Sequence, residues 1–112
     1  MSKIPRWNEI LREELAAAVN REVGLPNALI TITYVECSSD LKRARVGISV
    51  LPDNLAGTAL GKLTAGTGEL VRILRSRLKL RIMPHFIWEF DATEREAGKI
   101  EKLIAEIDVD DN

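Results

Sequence analysis

Trp7, Ile10, Leu11, Leu15, Ala18 and Val19 recur at helical intervals, and Glu9, Arg12, Glu13, Arg21 and Glu22 fill the positions between them. That period predicts an amphipathic helix opened by Pro5 and running to about Val23, where Gly24 and Pro26 end it. From Leu29 to Cys37 the pattern changes to a run rich in β-branched residues, Ile30, Thr31, Ile32, Thr33 and Val35, which is strand chemistry. Ser38-Ser39-Asp40 with Lys42 makes a turn. From Arg43 to Leu51 apolar and other residues then alternate, with Ala44, Val46, Ile48 and Val50 on one face and Arg45, Gly47 and Ser49 on the other. Two such strands joined by a short turn predict an antiparallel hairpin with one face covered by helices.

Pro52-Asp53-Asn54 closes the second strand and opens a helix, with Asp53 or Asn54 as its N-cap and Leu55, Ala59, Leu60 and Leu63 on its apolar side. Four of the seven glycines, Gly57, Gly61, Gly66 and Gly68, then fall within twelve residues. A glycine costs about 1 kcal/mol against alanine inside a helix. The expected result is a helix that stops at Ala65-Gly66, a break at Gly66-Thr67-Gly68, and a second helix capped by Thr67 that ends near Leu78. Gly57 and Gly61, four apart, leave room for another element to approach.

On a wheel of residues 69–78, Leu70, Ile73, Leu74 and Leu78 oppose a narrow stripe of Arg72, Arg75, Ser76 and, one residue further on, Lys79. Beyond Pro84, Phe86, Trp88 and Phe90 share one face of a third strand and are expected to be buried against the helices. Thr93 and Glu96 form a capping box for a last amphipathic helix carrying Ala97, Ile100, Leu103, Ile104 and Ile107.

Composition narrows the function. The chain of 112 residues is 46% hydrophobic, enough for a single domain spanning residues 1–112 with its own core. Its net charge is only −1, but the charge is segregated: residues 62–85 carry net +5 and residues 89–112 net −6. A basic patch on a near-neutral protein marks an oriented polyanion-binding surface, or an intramolecular match between the two segments. One cysteine and one histidine allow neither an internal disulfide nor a zinc site of ordinary spacing. No catalytic motif stands out. Gly57-Thr58-Ala59-Leu60-Gly61-Lys62 is one residue short of a phosphate loop, and Leu63 replaces the hydroxyl that would hold magnesium. His85 reads as a surface residue. With neither a signal peptide nor an apolar run of membrane-spanning length, a cytoplasmic, non-enzymatic protein is expected.

The predicted order, helix, strand, strand, helix, break, helix, strand, helix, resembles a type II KH domain: an α+β fold of order αββααβα, with a three-stranded sheet, helices packed on one face and a kinked helix pair. The Gly-x-x-Gly loop of ordinary KH domains is absent. The chain is more similar to the bacterial ribosome-binding factor A family, whose KH-like helix pair is kinked at an Ala-x-Gly element. Leu15-Ala16 with Glu22-Val23-x-x-Pro26 resembles the first helix and its exit. Thr31-Ile32-Thr33-Tyr34-Val35-Glu36-Cys37-Ser38-Ser39-Asp40-Leu41 resembles the first strand and turn, and Ala44-x-Val46-x-Ile48-Ser49-Val50 the second strand. Leu78-x-Leu80-Arg81-x-x-Pro84-x-Phe86-x-Trp88-x-x-Asp91 resembles the last strand and its approach. Two positions depart: Gly66 stands where the family usually has Ala, and Val71 where many members have Arg.

The resemblance implies a ribosome biogenesis factor that binds the immature small (30S) subunit and assists processing and folding of 16S rRNA near its 5′ end, above all in the cold. The expected partners are that subunit and its 16S rRNA, met by a monomer with no cofactor, metal, membrane or small-molecule substrate. The candidate RNA-binding residues are Gly66, Thr67, Gly68, Arg72, Arg75, Arg77, Lys79 and Arg81, with Lys42, Arg43 and Arg45 around the hairpin turn. A KH-like module for other single-stranded RNA, or a domain docking an acidic protein, would carry the same charge pattern.

Overall fold

The hairpin forms where the β-branched run and the alternating run predict it. Strand β1 spans Leu29–Cys37 and β2 spans Arg43–Leu51, antiparallel to one another. The computed structural model describes residues 4–80 and 82–91. Arg81, the capping box at Thr93 and the helix expected after it lie outside the described residues.

One irregularity sets which side chains face the core. The β1–β2 register shifts between Ile32 and Tyr34. Ile30 and Ile32 point inward; after this bulge Val35 takes the inward position, and Tyr34 and Glu36 turn outward. Without the extra residue the period of two would carry Tyr34 and Glu36 into the core. On β2, Ala44, Val46, Ile48 and Val50 are all buried, as the alternation requires.

Tyr34 comes to lie over Gly47. A Cβ built on Gly47 would stand 2.2 Å from the Tyr34 ring, so only glycine leaves room for it there. The ring is held at its far end, where the Tyr34 hydroxyl donates to the Glu89 carboxylate. Arg45 donates to Glu89 from both Nε and Nη2, the latter at 2.8 Å, and also reaches Glu36 at 3.3 Å. Burial and the Glu89 hydrogen bond push the Tyr34 phenol up to about 12. Burial opposes ionisation of Glu89, yet the hydrogen bonds from Arg45 and Tyr34 outweigh it and hold its carboxyl below the usual range. Gly47→Ala is expected to destabilise the domain by about 1–3 kcal/mol through this clash; chemical denaturation reads it, and an unchanged midpoint would mean that Tyr34 swings away freely.

Strand β3, His85–Phe90, adds to the other edge of β2 and runs parallel to it, with Phe86 opposite Ala44 and Phe90 opposite Ile48. Two helices cover one face of this sheet. Helix α1 spans Ile4–Glu22 and buries Leu11, Leu15, Ala18 and Val19 of its predicted stripe, while Trp7 and Ile10 near its start are half-buried. A short 3₁₀ turn, Asp53–Leu55, leads into α2, Ala56–Leu78. Neither Asp53 nor Asn54 supplies a side-chain cap: the residue before the 3₁₀ turn is Pro52, the one before α2 is Leu55, and neither makes a capping side-chain bond.

Candidate nucleic-acid interface

The break expected at Gly66-Thr67-Gly68 does not occur. Helix α2 runs uninterrupted for 23 residues, and none of its glycines has a positive φ. The reason is tertiary. Ala56, Ala59, Leu63, Leu70 and Leu74 are its buried residues, and Leu63 and Leu70 lie two turns apart on the same face, both at 0% exposure. A continuous helix keeps both on the core. Burying a leucine contributes about 1.5–3 kcal/mol, so the pair outweighs the roughly 2 kcal/mol that two helical glycines cost.

Thr67 does not cap a new helix. Its hydroxyl donates back to the Leu63 carbonyl at 2.7 Å and accepts the Trp88 indole N–H at 2.9 Å. That second bond ties the middle of α2 to β3. Trp88 is half-buried rather than buried. Phe86 is buried, and Phe90 packs half-buried on the core.

Gly66 faces the end of α1. A Cβ there would meet Val23 at 3.5 Å, an ordinary contact. At Gly57, Gly61 and Gly68 nothing lies within 4 Å, so no described element makes the close approach that Gly57 and Gly61 would permit. Gly66→Ala is expected to stabilise the domain by about 0.5–1 kcal/mol in urea denaturation, through helix propensity alone. A loss of stability would show that the position needs glycine.

The cations divide among three settings. Arg72, Arg75 and Lys79 are exposed on the outward side of α2. Arg72 is paired with Glu69 one turn before it; that hydrogen bond raises the guanidinium's pKa and lowers that of the carboxyl. Among the described residues Arg75 and Lys79 have no ion-pair partner. Lys79 closes the helix in the left-handed conformation, φ 54°, with its N–H on the Arg75 carbonyl. Arg77 is separate from this stripe: helical spacing puts it on the apolar side of α2, beside Leu70 and Leu74, and it turns to α1 and holds Glu14 at 2.6 Å. Lys42, Arg43 and Arg45 lie at the hairpin, where Arg45 is held by Glu89 and Glu36 and lines a cleft of about 350 Å³ with Arg43, Cys37, Ser38 and Ile87. The structure thus brings Arg72, Arg75 and Lys79 together and sets the hairpin cations and Arg77 apart. Sequence reading missed that Gly57, Gly61 and Gly68 share the exposed side of α2 with the stripe, which extending the wheel back from residue 69 would have shown.

Among the described residues no group of three His, Cys, Asp or Glu side chains could hold a metal ion, and no helix is long and apolar enough to cross a membrane. What α2 presents is a row of cations on a rigid element, suited to holding a polyanion.

A three-stranded sheet with two helices on one face and a cationic helix side defines a KH-like α+β domain. The crystal structure of ribosome-binding factor A from Thermus thermophilus shares this fold, with a TM-score of 0.69 at 22% identity over 78% of this chain and 94% of that one. A homology model of the Thermus thermophilus factor, fitted into the cryo-EM map of a 30S complex, aligns with a TM-score of 0.60 at 21% identity, covering 73% of this chain and 88% of that one. In sequence, the ribosome-binding factor A family profile matches residues 3–104. The chain is 34% identical over 108 residues to ribosome-binding factor A of Staphylococcus epidermidis, covering 95% of this chain and 93% of that protein. It is 34% identical over 104 residues to that of Koribacter versatilis, covering 91% and 85%. The chain belongs to the ribosome-binding factor A family.

Proposed function

We propose that this protein is a ribosome biogenesis factor that binds the immature small ribosomal subunit with the outward side of α2 and assists processing and folding of 16S rRNA near its 5′ end. It acts as a cytoplasmic monomer, without a catalytic group of its own, and matters most in the cold. The observation that carries this reading is the exposed row Arg72, Arg75 and Lys79 on α2, in a chain whose family is named for ribosome binding. A Thermus relative fitted into a 30S complex supports the choice of subunit. Phosphates supply most of the affinity, so binding is salt-dependent. Lys42, Arg43 and Arg45 form a separate, secondary contact on the hairpin. Arg81, two residues past Lys79 in the sequence, is a further candidate contact by its charge.

Co-sedimentation of the purified protein with immature small subunits tests this reading. The protein is expected to travel with those particles at low salt and to be released as salt rises. Failure to co-sediment at any ionic strength, or equal binding to an acidic protein surface, would contradict it.

A further inference from the structure

Residues 92–112 lie outside the described residues, and their sequence carries a pattern that the subunit-binding reading leaves unused. They hold seven acids against three bases. At helical spacing Ala97, Ile100, Leu103, Ile104 and Ile107 share one side. Glu94, Glu101 and Asp108 border that apolar side along one edge, and Arg95, Lys99 and Lys102 lie away from it. A stripe of this kind needs an apolar surface to pack on.

The fold offers one. Thr67 marks the side of α2 that meets β3, through its bond with the Trp88 indole. Gly66 and Arg77 mark the side that meets α1. Leu60, Val71 and Leu78 lie within about 40° of Thr67 around the helix axis. All three pack on the core yet are only half-buried. Trp88 and Phe90 next to them are half-buried too, and β3 is an edge strand with no described strand beyond it. A row of half-covered apolar side chains thus runs along α2 beside an open sheet edge, the kind of edge that proteins cover with a helix or a loop.

Chain geometry and charge name the occupant. At the end of β3 the Asp91 N–H donates to the Ile48 carbonyl, three residues before β2 ends and the chain turns into α2. A helix over 93–108 would start there and rise about 22 Å. The same rise along α2 from Ala56 leads to about Val71. The acids Asp108, Asp110 and Asp111 would then come level with Arg72, Arg75 and Lys79, the exposed cations at the far end of α2.

We propose that residues 93–112 fold back as a helix along the β3 flank of α2 and lay their acidic end on Arg72, Arg75 and Lys79, so that this segment and RNA compete for the same cations. The competition rests on the RNA-binding reading above; the docking does not. Such a cover screens out weakly bound polyanions and yields to a ligand that makes several phosphate contacts at once.

Two measurements on the full chain test it. The first needs no RNA. In a Cys37→Ser background, Thr64→Cys is combined with either Glu101→Cys or Lys102→Cys, and disulfide closure under mild oxidant is timed. Thr64 is exposed on the flank, and the two partners have nearly equal tethers but face opposite ways on a helix. The Glu101 pair is expected to close about tenfold faster, through its higher effective concentration. Equal rates overturn the proposal. The second is fluorescence anisotropy with an unstructured RNA at low salt. Asp110→Asn with Asp111→Asn should bind about tenfold tighter than the unaltered chain. Glu13→Gln with Asp53→Asn removes the same charge elsewhere and should gain no more than about twofold. Equal gains by the two variants also overturn the proposal. If the Glu101 pair closes selectively but no form of the chain binds RNA, the RNA reading falls and the docking stands. If Arg75→Glu releases the protein from small subunits while the two cysteine pairs close equally, the subunit reading stands and only this inference falls.

Discussion

Leu70→Ala is expected to remove about 2–5 kcal/mol from a domain of this size, whose whole stability is about 5–15 kcal/mol. Leu70 is at 0% exposure and is the first buried residue after Gly68. It seats the second half of α2 on the core, with Leu74 one turn further along and Leu63 two turns back. Truncating it leaves a cavity and also removes what holds two unfavourable glycines in helical form. Urea denaturation should show the midpoint falling well below that of the unaltered protein. A loss under about 1 kcal/mol would mean that the helix does break at Gly66-Thr67-Gly68 and that Leu70 is poorly seated.

That helix is also where sequence reasoning reached its limit. The glycine cluster is a local signal, and local propensity argues for a break. The two buried leucines on either side are a tertiary signal, visible only once the core they share is known. The hairpin was legible to the residue, because β-branched runs and strict alternation leave few other solutions. Its bulge was not: nothing in Thr31-Ile32-Thr33-Tyr34 announces an extra residue, and its cause lies across the strand, where Gly47 makes room for Tyr34. The parallel pairing of β3 with β2 likewise depends on where α2 delivers the chain.

The candidate site was legible in the same uneven way. A wheel places Arg72, Arg75 and Lys79 together because helical period alone decides it. The partners of the other cations come from distant segments, Glu14 for Arg77 and Glu89 for Arg45, and sequence spacing does not carry them. Arg77 and Arg45 thus count as RNA contacts on charge alone, whereas the structure gives each an ion pair within the fold.

Replacing Arg72, Arg75 and Lys79 together by Glu is expected to leave the fold intact and to abolish association with the immature small subunit. None of the three is buried, and the one ion pair they make among the described residues, Arg72 with Glu69, is exposed and one turn apart in the helix. Such a solvent-exposed pair contributes little to stability, so its loss does not threaten the domain. On a phosphate surface, by contrast, three attractions become three repulsions. Single replacements by Ala should weaken binding in steps, each reducing the slope of log affinity against log salt by roughly 0.7–0.9. Arg95, Lys99 and Lys102, set among acids in the sequence, are the comparison and should matter much less.

Sedimentation of the triple variant with immature small subunits, alongside a circular-dichroism melt of the same preparation, decides whether the outward side of α2 is the binding surface. The expected result is a native melt and a protein left in the supernatant at a salt concentration where the unaltered chain pellets with the particles. A variant that melts normally and still pellets would show that this side of α2 is only a solvated face, and would move the search to Lys42, Arg43 and Arg45 on the hairpin.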